Sequence, residues 1–132
     1  MLASILAVLG GFAAMALLVM VTTAVAAATL IPGGMKGMAT PGAPLPRAYL
    51  TANLACSALA AFLGGFITAR LAPDRPFFHA VALAALMCVM GILSARQAAG
   101  RQPAWYPWVL CTVMPAIALI GAYISGQVGG LY

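Results

Sequence analysis

Four long stretches without charged side chains run along the chain, separated by short segments that carry the basic residues. A helix needs about 20 apolar residues to cross a bilayer, because the hydrocarbon core is about 30 Å thick and each helical residue adds 1.5 Å. Each stretch is long enough. The pattern therefore predicts an all-α, polytopic membrane protein with a four-transmembrane-helix bundle. We expect a single transmembrane domain over residues 1–132, with helices near 2–31, 48–70, 77–96 and 105–126.

The first stretch contains small residues at Ala24–Ala28 that resemble a signal cleavage site. No Lys or Arg precedes the apolar run, whereas a secretory signal normally has one. We therefore expect this stretch to be a membrane-spanning helix and not a cleaved leader.

The connections between the predicted helices differ in character. Residues 32–46 hold four prolines and four glycines, so we expect an irregular loop. This loop is too apolar for a freely solvated linker, and we expect it to lie at the headgroup level or against a partner. With four spans, it shares one side of the membrane, here called the loop face, with the short link 97–103. Both termini and the 71–76 turn lie on the opposite side, the terminal face.

Composition supports a membrane location and argues against a nucleic-acid partner. Apolar residues make up 65% of the chain and charged residues 5%, against roughly 25% charged residues in a soluble domain. Lipid must therefore surround most of the surface. The net charge of +5 comes from single basic residues between apolar runs, not from a basic cluster of the kind that binds nucleic acid.

The basic residues also suggest an orientation in the membrane. The loop face carries four of them and the terminal face carries Arg70 and Arg75. Cytoplasmic segments are enriched in Lys and Arg, so this distribution predicts termini outside the cytoplasm, in a cell membrane such as the bacterial inner membrane. Four aromatic residues near the loop face are expected to form an interfacial belt. The four basic residues are Lys36, Arg47, Arg96 and Arg101, and the aromatic residues are Tyr49, Trp105, Tyr106 and Trp108.

The second predicted helix has two adjacent rows of small or weakly polar residues. Helices in lipid associate through close packing at such residues and through interhelical hydrogen bonds. We therefore expect this helix at the centre of the bundle, in contact with at least two others. The residues expected to pack are Ala52, Cys56, Ala60 and Gly64 in one row and Asn53, Ser57 and Gly65 in the other.

Two residue types raise the possibility of a bound metal or pigment. Cys56, Cys88 and Cys111 lie at similar depths, which would allow them to converge as thiolate ligands. No histidine or carboxylate completes a site, so we expect ordinary small apolar residues and no metal. His79 is the single histidine. It is a candidate ligand for haem or for chlorophyll magnesium, although an interfacial hydrogen-bonding role is more common.

Asn53 lies roughly two turns below the loop face. Polar residues at such depth are functional candidates, but asparagine also bonds across helices as a structural element. We expect a structural role, with Thr51 and Ser57 as candidate partners.

The chain lacks the residues that most enzymes need. One histidine and one acid, Asp74, cannot supply most acid–base mechanisms, and no phosphate-binding loop or zinc-protease motif is present. No acid lies within an apolar stretch, where proton-coupled transporters usually carry one. We therefore predict a protein that is not an enzyme and has no cofactor of its own.

The stretch YLTANLACSALAAFLGGFITARLAPDRPFFHA, followed by WYPW, resembles small uncharacterised four-helix proteins of bacterial inner membranes. That resemblance implies the four-helix fold and no known activity. Two other four-helix families are excluded. Small multidrug-resistance transporters need a glutamate in the first helix, and glutathione- and leukotriene-related enzymes need one after residues that correspond to Arg47 and Asn53.

These observations favour a structural or accessory subunit of a larger membrane complex, respiratory or photosynthetic, whose partners are the bilayer and other subunits or copies of itself. One alternative is a small transporter or channel protomer, acting as a homo-oligomer, in which Asn53, Ser57 and Thr68 border the pathway. Another alternative is a cofactor- or pigment-carrying subunit that uses His79 or the cysteines.

Overall fold

A computed structural model describes residues 1–130, so the last two residues of the predicted domain lie outside the described residues. Over this range the chain forms helices and connecting turns without a β-strand. Four of the helices are long and apolar enough to cross a membrane. The prediction of an all-helical, multi-pass chain is therefore confirmed at the level of helix length and composition. The helices are α1 (Leu2–Leu30), α2 (Gly34–Ala39), α3 (Arg47–Leu71), α4 (Pro76–Gln97) and α5 (Trp105–Gly129).

The ends of the long helices follow from local residue chemistry. α4 begins at Pro76, whose fixed φ and missing N–H suit the first helical position. α5 continues to Gly129, beyond the expected end near residue 126, and Gly130 then takes the left-handed conformation that commonly ends a helix. α1 contains 29 residues. It is therefore about 43 Å long, which exceeds the hydrocarbon core and requires tilt or protrusion.

Residues 32–46, expected to be an irregular loop throughout, contain the six-residue helix α2. The chain reverses after α1 because Gly33 and Gly34 adopt positive φ angles of 79° and 59°. Gly37 then approaches the Pro32 carbonyl so closely that a Cβ would lie 1.9 Å from the oxygen. The prolines and glycines predict an irregular loop, but here the glycines bring the segment back on itself, and a short helix satisfies its backbone hydrogen bonds.

α3 lies at the centre of the bundle. It packs against α1 on one side and α5 on the other, while α4 packs mainly on α5. A Cβ added at Gly65 would lie 1.8 Å from the Ala118 carbonyl oxygen in α5. On the α1 side, a Cβ at Gly11 would lie 2.7 Å from the Gly64 carbonyl oxygen. The helix backbones therefore approach each other at glycine, as membrane helices do where small residues permit it.

The outward surface of the bundle is mostly large and apolar, as expected for contact with lipid. α3 differs near the loop face, where its outward side between the exposed residues Arg47 and Leu59 carries the small exposed residues Ala48, Thr51 and Ala55. We call this stretch the small outer face of α3.

The two connections of the loop face are tied together by Arg101. Its guanidinium donates hydrogen bonds to the Met38 and Ala43 carbonyls, the latter at 3.1 Å. The Leu45 N–H donates in return to the Arg101 carbonyl at 3.0 Å. Segments 32–46 and 97–103 therefore lie on the same side, as the number of spans predicts.

Candidate ligand site at the loop face

The loop-face end of the bundle contains a half-open cavity of about 360 Å³. All four long helices contribute lining residues, together with Met38 of α2 and the residues that follow α4. The lining is apolar over most of its extent, but it includes eight polar or charged side chains, most of them toward the loop face. These are Thr23, Tyr49, Asn53, Ser57, Ser94, Arg101, Gln102 and Tyr106.

Asn53 links three helices within this cavity. The Thr23 hydroxyl of α1 donates to Asn53 Oδ1 at 3.0 Å, and Asn53 Nδ2 donates to the Tyr106 hydroxyl of α5 at 2.6 Å. The expected partners of Asn53, Thr51 and Ser57, were wrong. The Thr51 hydroxyl instead bonds to the Arg47 carbonyl of its own helix at 3.0 Å, as threonine often does one turn back.

Tyr49 and Tyr106 are core residues, with relative exposures of 4% and 3%. We expected both in an interfacial aromatic belt. Of the four aromatic residues expected in that belt, only Trp105 and Trp108 face outward, with relative exposures of 52% and 73%. The tyrosines lie inside because Ala26, Ala27 and other small or apolar residues make room for their rings, forming one hydrophobic cluster.

Among the described residues that line the cavity, Arg101 is the one with a charged side chain. Its two hydrogen bonds to backbone carbonyls hold the guanidinium at the entrance of the bundle. A guanidinium has five N–H donors in a planar fork, so donors remain for a further partner. Arg101 therefore combines a fixed position with unused capacity for an acceptor.

The residues predicted to pack α3 fall into three groups. Ala60, Gly64 and Gly65 are buried between helices, Gly64 toward α1 and Gly65 toward α5. Ala52 and Cys56 are half-buried. The remaining two, Asn53 and Ser57, line the cavity.

Thr68 does not belong to this cavity. It is fully buried, and its hydroxyl lies 1.8 Å from the position where a Cβ of Gly11 would be. The hydroxyl has no hydrogen-bond partner among the described residues. The polar line Asn53–Ser57–Thr68 therefore divides between a cavity and a helix–helix contact.

The three cysteines are not brought together as one ligand set. The Cys88 thiol lies 3.4 Å from the Cys111 carbonyl oxygen, so these two residues meet where α4 packs on α5. Across residues 1–130, no group of three His, Cys, Asp or Glu side chains is placed to hold a metal ion.

His79 lies near the start of α4, at the terminal face. Its Nδ1 donates to the Arg75 carbonyl at 3.2 Å, a partner that can only accept. It also borders a shallow apolar groove with Ser4 and Phe78. The imidazole thus makes the interfacial hydrogen bond that a histidine at a helix start commonly makes.

Sequence reasoning missed Thr23, Tyr49, Tyr106 and Arg101 as parts of one site. The sequence did contain one signal, the depth of each residue below the loop face. Asn53 lies six residues into α3, and Thr23 lies about two turns before the end of α1. Both therefore lie below the same face, but depth alone does not tell which side of each helix faces inward.

Comparisons with protein-family models, with curated proteins and with solved structures found no match to this chain.

Proposed function

We propose that this protein is a non-catalytic accessory subunit of a larger membrane complex, and that a helix of another subunit packs on the small outer face of α3. The observation that carries the proposal is the exposure of Ala48, Thr51 and Ala55 on the central helix. Surfaces that contact lipid carry large apolar side chains, whereas small residues permit close approach of another helix. A partner helix there would bury a surface that lipid chains fill poorly.

The test uses the protein purified in mild detergent from its own membrane. Native mass measurement should detect the chain together with at least one other subunit. The variant Ala55→Leu should lose that subunit, because the larger side chain prevents close packing at the small outer face. A stable monomer under the same conditions would refute the proposal.

Ala85→Leu is the matched control. Ala85 is also exposed, but it lies on α4, away from the small outer face. This variant should retain the partner. If both variants lose it equally, the loss reflects damage to the bundle and the assigned surface is wrong.

A respiratory or photosynthetic assembly is the class of complex that we propose. The absorbance spectrum of the purified assembly tests this directly, since haem and chlorophyll absorb visible light. The variant His79→Ala separates two origins of such absorbance. Unchanged absorbance places the pigment on the partner, whereas its loss supports the alternative that this chain carries the pigment.

We further propose that the loop face is cytoplasmic in a bacterial inner membrane. Four of the six basic residues belong to segments at this face, including Lys36 and Arg101. Cysteine-accessibility labelling tests the orientation. In a chain without its native cysteines, a cysteine in place of exposed Thr40 should react with a membrane-impermeant maleimide only after the membrane is opened.

A homo-oligomeric transporter is the second candidate, because Asn53 and Ser57 line a cavity. A homo-oligomer should have a native mass that is a multiple of the mass of one chain. Its solute flux in liposomes should fall in the variant Asn53→Leu. Flux that the variant leaves unchanged would remove this candidate.

A further inference from the structure

The loop-face cavity extends through the depth of one lipid leaflet. Arg101 lies in the link between α4 and α5, where the chain leaves the spanning helices. Met87 lies ten residues before the end of α4 and Met114 nine residues after the start of α5. At 1.5 Å per residue, both lie about 14–15 Å below the loop face, which is half of the hydrocarbon core. The cavity is therefore mainly polar near the loop face and, apart from Ser57, apolar toward the bilayer centre.

The polar end presents mainly hydrogen-bond donors. The Tyr106 hydroxyl accepts a hydrogen bond from Asn53 and keeps its own proton for another acceptor. The Tyr49 phenol and the guanidinium of Arg101 line the same end. The acceptor oxygen of Asn53 already receives the Thr23 hydroxyl. This arrangement favours a ligand rich in acceptor oxygens.

Arg101 has no carboxylate side chain within reach in its own chain. Asp74 is the only acidic residue, and it lies in the turn before α4, at the terminal face. The 22 residues of α4 separate the two positions, a distance of about 33 Å along the helix. A half-buried cation held only by carbonyls would be stabilised further by an anion that brings charge-assisted hydrogen bonds.

The apolar end is rich in methionine. Five of the eight methionines of the chain line the cavity. Methionine is unbranched and flexible, so it adapts to alkyl chains of varied shape. Four of them, Met15, Met87, Met90 and Met114, belong to the spanning helices, and the fifth, Met38, belongs to α2 at the loop face.

We propose that this cavity binds a single-chain anionic amphiphile of the loop-face leaflet. Its carboxylate or phosphate accepts hydrogen bonds from Arg101 and Tyr106, and its alkyl chain lies among the methionines. The volume of about 360 Å³ is at the small end of the range of about 300–1,000 Å³ for ligand pockets, which suits one chain better than two.

This site is independent of the accessory role proposed above. Successive residues of a helix are 100° apart, so Ser57 on the cavity and Ala55 on the small outer face lie about 160° apart around α3. A partner on the outer face can therefore be lost while the cavity keeps its ligand, and the two proposals can fail separately.

The test measures binding of radiolabelled palmitate, and of lysophosphatidylglycerol by native mass spectrometry. The protein is reconstituted in nanodiscs of phosphatidylcholine, which carries no net charge. Both anionic amphiphiles should bind, and lysophosphatidylcholine, with the same chain but no net charge, should bind at least about tenfold more weakly. Equal binding of the charged and uncharged amphiphiles would overturn the proposal.

Arg101→Gln should weaken palmitate binding about tenfold or more, since hydrogen bonds to charged groups contribute about 1.5–3 kcal/mol. Arg96→Gln is the matched control, because Arg96 is exposed near the loop face and does not line the cavity. It should leave binding unchanged. Equal losses in the two variants would show a general effect of surface charge and overturn the assigned site.

Ser94→Trp provides a test that leaves Arg101 and its bonds to the loop intact. Ser94 is an exposed residue of α4 that lines the cavity three residues before the helix ends, so a large ring there should obstruct the loop-face end of the cavity without disturbing a helix contact. Leu93→Trp places the same ring on the neighbouring exposed position outside the lining. Binding should fall for Ser94→Trp and persist for Leu93→Trp, and the reverse would contradict the proposal.

Competition with inorganic phosphate separates a lipid from a free anion. Palmitate should remain bound when phosphate is present at the same concentration, because the alkyl chain supplies much of the affinity. Displacement by phosphate alone would assign the site to a free anion and overturn the proposal that the ligand is an amphiphile.

Discussion

Replacement of Gly65 by alanine tests the closest helix contact of the bundle. The added Cβ would lie 1.8 Å from the Ala118 carbonyl oxygen, and the atoms nearest to it are all backbone. Ordinary contact begins near 3.4 Å, so α3 and α5 must separate by the difference, about 1.6 Å. No rotation of a side chain can relieve this overlap.

The magnitude follows from two opposing terms. Overpacking of a close contact costs about 1–3 kcal/mol, and a rigid backbone neighbour places this case near 3. That cost includes lost dispersion energy, because a gap of even 0.5–1 Å forfeits a quarter to a half of the dispersion energy of the atoms on either side. Alanine recovers about 1 kcal/mol, because it favours the helix over glycine. The net loss is about 2 kcal/mol, roughly a factor of 30 in the folding equilibrium.

The assay is equilibrium unfolding by sodium dodecyl sulfate in mixed micelles, followed by the fluorescence of the two tryptophans of α5. Gly10→Ala is the control, since its Cβ would meet only the Leu71 methyl group, 2.9 Å away at the end of a flexible side chain. Gly10→Ala should be neutral or more stable by up to about 1 kcal/mol. Equal stabilities of Gly65→Ala and Gly10→Ala would refute the close approach of α3 to α5.

Three further predictions address the polar groups and the cysteines. A double-mutant cycle of Asn53→Ala and Tyr106→Phe in the same titration should give a coupling of about 0.6–1.7 kcal/mol, the range of interhelical hydrogen bonds in membranes; purely additive losses would contradict the bond. Ser125→Ala should be neutral or stabilising by about 1 kcal/mol, because the buried Ser125 hydroxyl has no hydrogen-bond partner within residues 1–130; a clear loss of stability would mean that the hydroxyl is paired. Dibromobimane, which fluoresces when it bridges two thiols, should link Cys88 to Cys111. Fluorescence that survives Cys88→Ala would contradict that pairing.

The long helices could be predicted because membrane thickness imposes a simple length requirement on each of them. The central position of α3 also followed from sequence, since two adjacent rows of small residues allow two close neighbours. Gly64 meets α1 and Gly65 meets α5 because consecutive helical residues point 100° apart.

The inward direction of most side chains could not be predicted. In a soluble helix the polar side marks the surface, but these helices are apolar all round, so hydropathy does not indicate how each is rotated. Thr23 and Tyr106 therefore could not be recognised as partners of Asn53, from which they are separated by 30 and 53 residues. The short helix α2 was missed for another reason, since its formation depends on close approach at Gly37 and not on residue propensity.

The hydrogen bonds by which Arg101 joins the two connections of the loop face have a consequence for biogenesis. Arg101 is synthesised 63 residues after Met38, whose carbonyl it binds. At about 5–20 residues per second, the ribosome needs about 3–13 s to cover that interval. Toward the end of this time both helices of the first hairpin, α1 and α3, have been made while their connecting segment is still unfastened. Synthesis of Arg101 then fastens the segment between α1 and α3, so a nascent polypeptide truncated before Arg101 should leave that segment open to proteases.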